Sequence, residues 1–250
     1  MSATVLPRCI RIGILVPSSN TALEPLSTSI LSSIPASYND HATAHFSRFR
    51  VTTIGLSASA LAQFDIDKII DAARLLADAN VDVIGWSGTS AGWLGFGADE
   101  ELCRRIKEAT GIQATTSILA LNKVLKSLEV KRLGLVTPYT SDVQKAIVKN
   151  YISIGVEINS EQHLSRTDNV NLASLGAETF DPMVEAVAKG GVDAITTFCT
   201  NLKTAGMVEK WEKEYGVPVL DTVTTVVWDC LKMCGVETTE MKGWGCIMRW

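Results

Sequence analysis

Arg11-Ile12-Gly13-Ile14-Leu15-Val16-Pro17 returns 121 residues later as Arg132-Leu133-Gly134-Leu135-Val136-Thr137-Pro138. Further along, Val81-Asp82-Val83-Ile84 returns after 111 residues as Val192-Asp193-Ala194-Ile195. Gly111, in Glu108-Ala109-Thr110-Gly111-Ile112, returns after 105 as Gly216, in Glu214-Tyr215-Gly216-Val217-Pro218. The order is kept while the spacing shrinks, as in a duplicated half-domain whose loops have drifted. Short β-branched runs at 10–16, 44–53, 81–86, 132–137, 156–162 and 194–198 read as strands. Several are apolar on both faces, as buried parallel strands are. Amphipathic stretches at 65–79, 100–109, 118–128, 141–154, 182–189, 204–215 and 222–233 read as helices. The alternation, occurring twice, predicts an α/β fold of two pseudo-symmetric lobes with parallel sheets.

Ligands of such sheets sit beyond the carboxyl ends of the strands. The residues that matter are therefore 17–21, 87–91, 138–141 and 199–201. Registering the duplicated segments sharpens the point. The sixth residue after Asp82 is Gly88, and the sixth after Asp193 is Cys199. One half carries a thiol where the other carries a blank. Asp82 and Asp193 themselves read as turn residues at matching strand starts.

Composition narrows the class. The 250 residues are 46% hydrophobic and 20% charged, as in an ordinary globular domain. The net charge of −4 and the scattered Lys and Arg argue against a nucleic-acid surface. No apolar run reaches the ~18 residues of a membrane helix, and the N-terminus shows no signal-peptide core. A cytoplasmic protein without disulfides is expected. Six cysteines and three scattered histidines show no zinc-like spacing, and Cys230 and Cys234 read as small buried residues. No P-loop, dinucleotide fingerprint or Ser–His–Asp arrangement is present, so no cofactor or metal is expected. The stretch from Thr238 to Trp250 fits neither repeat; it reads as a packing arm or a contact in a homo-oligomer.

Ser87-Gly88-Thr89-Ser90 offers hydroxyls and amides suited to a carboxylate, at a helix start whose dipole favours anions. Ser or Thr before a helix also serves simply as an N-cap. In the matching loop, Phe198-Cys199-Thr200-Asn201, a thiol at a helix start is expected to ionise easily and to give or take protons. A buried structural cysteine is the competing reading.

Val16-Pro17-Ser18-Ser19-Asn20-Thr21 with Glu24, then Val81 to Trp86, Pro138-Tyr139, Asn169 and Cys199 resemble the maleate cis–trans isomerase branch of the Asp/Glu racemase superfamily. Gly88-Thr89-Ser90 resembles instead its arylmalonate decarboxylase branch. The similarity runs from about Arg11 to Val236. It implies an active site in the cleft between the lobes. It also implies that the chain crosses over, with 1–118 and 222–250 forming one lobe and 119–221 the other. Racemases and maleate isomerases of this superfamily face two cysteines across the cleft, whereas arylmalonate decarboxylases keep the second, with glycine at the first. On that pattern Cys199 and Gly88 form the catalytic pair of positions. Thr89, Ser90 and Tyr139 would hold one carboxylate, and Asn20, Asn169 and Thr200 would contact a small dicarboxylate substrate.

Chemistry separates the branches. Racemisation needs an acid and a base on opposite faces of one carbon, and covalent cis–trans isomerisation needs a nucleophile. Gly88 supplies none of these. One thiol suits a decarboxylation that generates a carbanion and protonates it on a single face, given donors for the enediolate. Gly88→Cys is then expected to add racemising ability. The alternatives are an isomerase or racemase that covers the blank face by other means, and a catalytically silent dicarboxylate-binding protein. Trp86 or Trp93 is a candidate apolar wall for a departing carboxylate, or a core tryptophan. Arg48 and Arg50 share a strand face that could meet a second carboxylate or lie exposed.

Overall fold

The computed structural model describes residues 8–36 and 40–250; residues 1–7, part of the stretch read for a signal peptide, lie outside them. The first half runs β1 (Arg8–Pro17), α1 (Leu23–Ser32), β2 (Asp40–Phe49), α2 (Ala58–Leu61), α3 (Ile66–Asp78), β3 (Val83–Trp86), α4 (Ala91–Leu94), α5 (Phe96–Thr110), β4 (Ala114–Thr116) and α6 (Ser117–Ser127). The second runs β5 (Arg132–Thr137), α7 (Ser141–Ser153), β6 (Glu157–His163), α8 (Ala177–Ala188), β7 (Ala194–Thr197), α9 (Val208–Tyr215), β8 (Val219–Asp221) and α10 (Thr222–Met233). Each half builds a four-stranded parallel sheet, ordered β2-β1-β3-β4 and β6-β5-β7-β8.

The duplication is visible atom by atom. Asp82 accepts a hydrogen bond from the Arg11 amide at 2.6 Å, and Asp193 accepts one from the Arg132 amide at 2.8 Å. Each carboxylate latches the start of one central strand to its neighbour. Gly13 lets Leu76 of α3 lie against β1, and Gly134 lets Val187 of α8 lie against β5. A Cβ at either glycine would meet those side chains or their neighbours at 2.9 Å or less. Leu15 pairs with Trp86 in the first sheet and Val136 with Thr197 in the second. Gly88 and Cys199 therefore stand equally far beyond their strands.

Helix α10 follows the second sheet but packs on the first, against β3, β4 and α1. Val226 and Cys230 lie over Gly85, where a Cβ would come within 2.8 and 2.9 Å of them. The C-terminal stretch is a packing arm. It buries Met241, Ile247 and Met248, takes Glu209 and Glu212 of α9 as acceptors for the Gly243 and Cys246 amides, and reaches Ser33 through the Trp244 indole N–H at 2.9 Å. It thus ties α9 to the end of α1. No helix among the described residues is long and apolar enough to cross a membrane.

One acid is buried inside this core. Asp99 of α5 is 2% exposed and accepts a hydrogen bond from Thr116, the residue that caps α6 through the Leu119 amide. Burial pushes its carboxyl up to about 7, against the pull of the Thr116 hydroxyl, from an ordinary value of 3.8. Between those values the folded chain holds a proton that the unfolded chain has released. Stability therefore falls as pH rises through the window, by up to roughly 1.4 kcal/mol per pH unit. Asp99→Asn keeps an acceptor for Thr116 and removes the titration. Urea unfolding should show the variant more stable than the parent at neutral pH, with the margin closing towards pH 4. A margin that does not change with pH would show that the carboxyl is not held protonated.

Candidate functional site

The loops past β1, β3, β5 and β7 converge on a narrow cleft between the two sheets. Gly88, Thr89, Ser90, Asn20, Tyr139, Asn169, Cys199 and Thr200 all line it. Its remaining walls are Pro17, Val51, Ile54, Phe64, Trp86 and Trp93, and no lining residue carries a charge.

Cys199 is 4% exposed. The chain turns through 200–203 after it, and no helix begins until Val208 apart from the short turn Ala205–Met207. The expected easy ionisation is corrected accordingly. Burial pushes the thiol up to about 11, outweighing the Tyr139 hydroxyl and Asn201 amide that pull it down, and Asp221 pushes it further up. Without a helix dipole, desolvation decides, and the sulfur stays protonated at neutral pH. Asp221 lies beneath this loop. It caps α10 through the Val223 amide at 2.8 Å and accepts from the Thr197 and Thr204 hydroxyls at 2.9 and 2.6 Å, fixing the end of β7.

Tyr139 is 2% exposed. Its hydroxyl lies 2.6 Å from Thr89 Oγ1 and faces the Cys199 thiol, which it pulls down. Burial, then the charge of an ionised Cys199, hold the phenol well above its ordinary value, so it remains an O–H donor. Ser90 stands directly before α4 and makes no side-chain capping bond, leaving its hydroxyl to the cleft. Trp93 packs edge-on against Tyr139, ring centroids 5.2 Å apart, and against Phe64 at 6.0 Å.

The asparagines are tied into the walls. Asn20 accepts from the Ala22 and Leu23 amides at 3.0 Å, capping α1, and donates to Thr200 Oγ1 at 3.1 Å. Thr200 in turn donates to the Ser87 carbonyl at 3.2 Å. Asn169 donates to Ser19 Oγ at 2.9 Å. Asn201, inside the loop that the sequence pointed to but given no role there, accepts from the Thr21 amide at 3.0 Å and donates to the Asn169 carbonyl. Arg48 does not reach the cleft. Its guanidinium pairs with Glu24 at 2.7 Å and donates to the Ser18 and Asn20 carbonyls at 3.0 Å, bracing the loop from outside; Arg50 is exposed.

The apolar roof was also missed. Val51, Ile54 and Phe64 come from the segment between β2 and α3, which holds only the four-residue α2 and a short turn and folds around Gln63, which accepts from the Thr52 amide at 2.7 Å. That segment meets the other half through the Ile54 amide and the Thr167 carbonyl, at 3.3 Å. It has no hydrophobic period to read. Trp86 carries a second correction. A Cβ at Gly88 would fall 2.1 Å from its Cζ2 and 2.3 Å from its Cε2. A cysteine at 88 therefore does not fit beside the indole, and the racemising effect expected of Gly88→Cys alone does not follow. One signal was available: residues two apart in an extended segment share a face.

A family model described as arylmalonate decarboxylase matches residues 13–247. A maleate isomerase of Pseudomonas putida is 27% identical over 234 residues, covering 91% of this chain and 92% of that protein. An arylmalonate decarboxylase of Bordetella bronchiseptica is 26% identical over 208 residues, covering 79% and 84%. Among solved structures, a cysteine-to-serine variant of a Nocardia farcinica maleate cis–trans isomerase, with a covalently bound succinylcysteine intermediate, matches with a TM-score of 0.88. That match is at 25% identity and covers 96% of this chain and 98% of that one.

Proposed function

The chain belongs to the arylmalonate decarboxylase family, an enzyme among enzymes, and from that premise we propose that it decarboxylates a substituted malonate or related dicarboxylate without a cofactor. One observation carries the reading: a single protonated thiol, Cys199, shares the cleft with Gly88, whose side is occupied by the Trp86 indole.

Thr89, Ser90 and Tyr139 supply neutral O–H donors for the retained carboxylate. The departing carboxylate lies against Val51, Ile54, Phe64 and Trp93, where an uncharged, apolar wall solvates its charge poorly. Breaking the carbon–carbon bond releases carbon dioxide and leaves its electron pair in an enediolate, which the donors stabilise. The Cys199 S–H then delivers its proton to the α-carbon on one face. The resulting thiolate is held by the Tyr139 hydroxyl and the Asn201 amide until solvent returns a proton.

Cis–trans isomerisation of a maleate-type acid is the second reading, supported by the relatives of that name and by Asn20 and Asn169 in the same cleft. It requires Cys199 to add as a thiolate. A thiol pushed up to about 11 is poorly poised for that, and the Asn20 amide is already engaged on both sides. Proton NMR in deuterated water tests both readings with phenylmalonate, methylmalonate, maleate, aspartate and glutamate. Loss of carbon dioxide with deuterium placed on one face is expected for a malonate. Conversion of maleate to its trans isomer without loss of carbon dioxide would overturn the first reading in favour of the second.

A further inference from the structure

The Trp86 indole is fully buried, 1% exposed, and braced by Phe49 with ring centroids 5.0 Å apart. Its six-membered ring covers the Gly88 side of the cleft so closely that a Cβ there would sit 2.1, 2.3 and 2.6 Å from Cζ2, Cε2 and Cη2. These are rigid ring atoms, not the free end of a flexible chain. Beyond the indole lies a second cavity, open to solvent, to which Phe64, Trp86 and Ser90 also contribute. Its titratable lining groups are Asp99 and Glu101. Trp86 thus forms part of the partition between a charge-free cleft and a chamber that holds acids.

We propose that Trp86 determines the one-sidedness of the reaction: its indole occupies the space of a second proton-transfer group and keeps acid and water from the second cavity off the α-carbon. The inference rests on the decarboxylase reading. With Trp86 in place, a carbanion meets a proton donor only on the Cys199 face. With the ring withdrawn, the cleft opens towards the second cavity and its water, a proton source on the other side.

Two measurements test this on the full-length protein. The first is the handedness of the 2-phenylpropionate released from methylphenylmalonate, read by chiral chromatography. Wild type should give one enantiomer and Trp86→Leu a mixture, and the leucine variant should accept a bulkier naphthyl substituent that wild type rejects. The second is α-deuterium exchange and racemisation of single-enantiomer 2-phenylpropionate. Here one thiolate removes the α-proton, and the opposing thiol protonates the enediolate on the other face, with no net consumption of either. Trp86→Leu/Gly88→Cys should racemise at least about tenfold faster than Gly88→Cys alone. The comparison uses Gly88→Cys protein that circular dichroism shows folded, so that the gain is not the repair of a damaged fold. Trp86→Phe, which keeps a ring against Phe49, replaces the leucine variant if circular dichroism shows that variant unfolded.

Unchanged handedness in a folded Trp86 variant, or a Gly88→Cys enzyme that racemises as fast as the double variant, would overturn the proposal. A wild type that decarboxylates none of the malonates would instead sink the decarboxylase reading. The exchange experiment, which needs no decarboxylation, would still decide the role of Trp86.

Discussion

Cys199→Ala lowers kcat for malonate decarboxylation by roughly two to four orders of magnitude while KM changes little. The alanine keeps the shape of the cleft floor and the three O–H donors of Thr89, Ser90 and Tyr139, so binding and bond cleavage retain their support. What is lost is the proton for the carbanion, which must then come from water. Deuterium uptake in the residual product is then paced by water entering where the thiol stood, on the face opposite Trp86. The pH profile separates this role from nucleophilic attack. The protonated thiol is the working form, and burial holds it up to about 11 against an ordinary 9.0. The rate should therefore stay level through the neutral range and decline only as pH climbs towards that value. A thiolate nucleophile demands the opposite, a rate that rises with pH as the thiol ionises. Full activity in the alanine variant, or a rate climbing steadily from neutral to alkaline pH, would remove Cys199 from the role of acid.

The duplicated half-domain was legible because it rests on strand interiors. Burial on both faces forces Ile12, Ile14, Leu135 and Val136 to be apolar, and the latching carboxylates at 82 and 193 keep the register that sets Gly88 against Cys199. The short strands β4 and β8, three residues each, are too brief for any period to show. Helix α1 was missed because Pro25 and a run of Ser and Thr argue against a helix. Proline is tolerated in the first turn, and Asn20, outside the helix, supplies the cap. Helix α8 begins at Ala177, ahead of Pro182, where the reading began it, because its packed face, Phe180, Met183, Val184 and Val187, outweighs one missing backbone bond. At the site, residue types and their loops were readable, and all eight positions line one cleft. Ionisation was not. The protonation of Cys199 depends on burial by segments more than a hundred residues away in the chain, and the roof residues depend on a loop without a pattern.

Tyr139→Phe should cost about a hundredfold or more in kcat with almost no loss of stability. Phenylalanine keeps the ring that Trp93 packs against at 5.2 Å and 70°, so the wall of the cleft is preserved. The hydroxyl it lacks has two duties. It donates to the enediolate, together with Thr89 and Ser90, while charge develops on the retained carboxylate. It is then the side-chain donor facing the sulfur once Cys199 has lost its proton, the Asn201 amide being the other group that pulls the thiol down. Without it the thiolate is desolvated with one donor fewer, so the thiol rises above about 11 and becomes a weaker acid. Both effects act in the same direction on kcat, and neither requires tight ground-state binding to fail, so KM should rise only modestly. Titrating the ultraviolet absorbance of the thiolate, with Cys199→Ala subtracted to remove the other five cysteines, isolates the second duty. The midpoint should move to higher pH in Tyr139→Phe. If it stays where it is in wild type while kcat still falls, the hydroxyl serves the enediolate alone and the thiol is poised by its burial and the Asn201 amide.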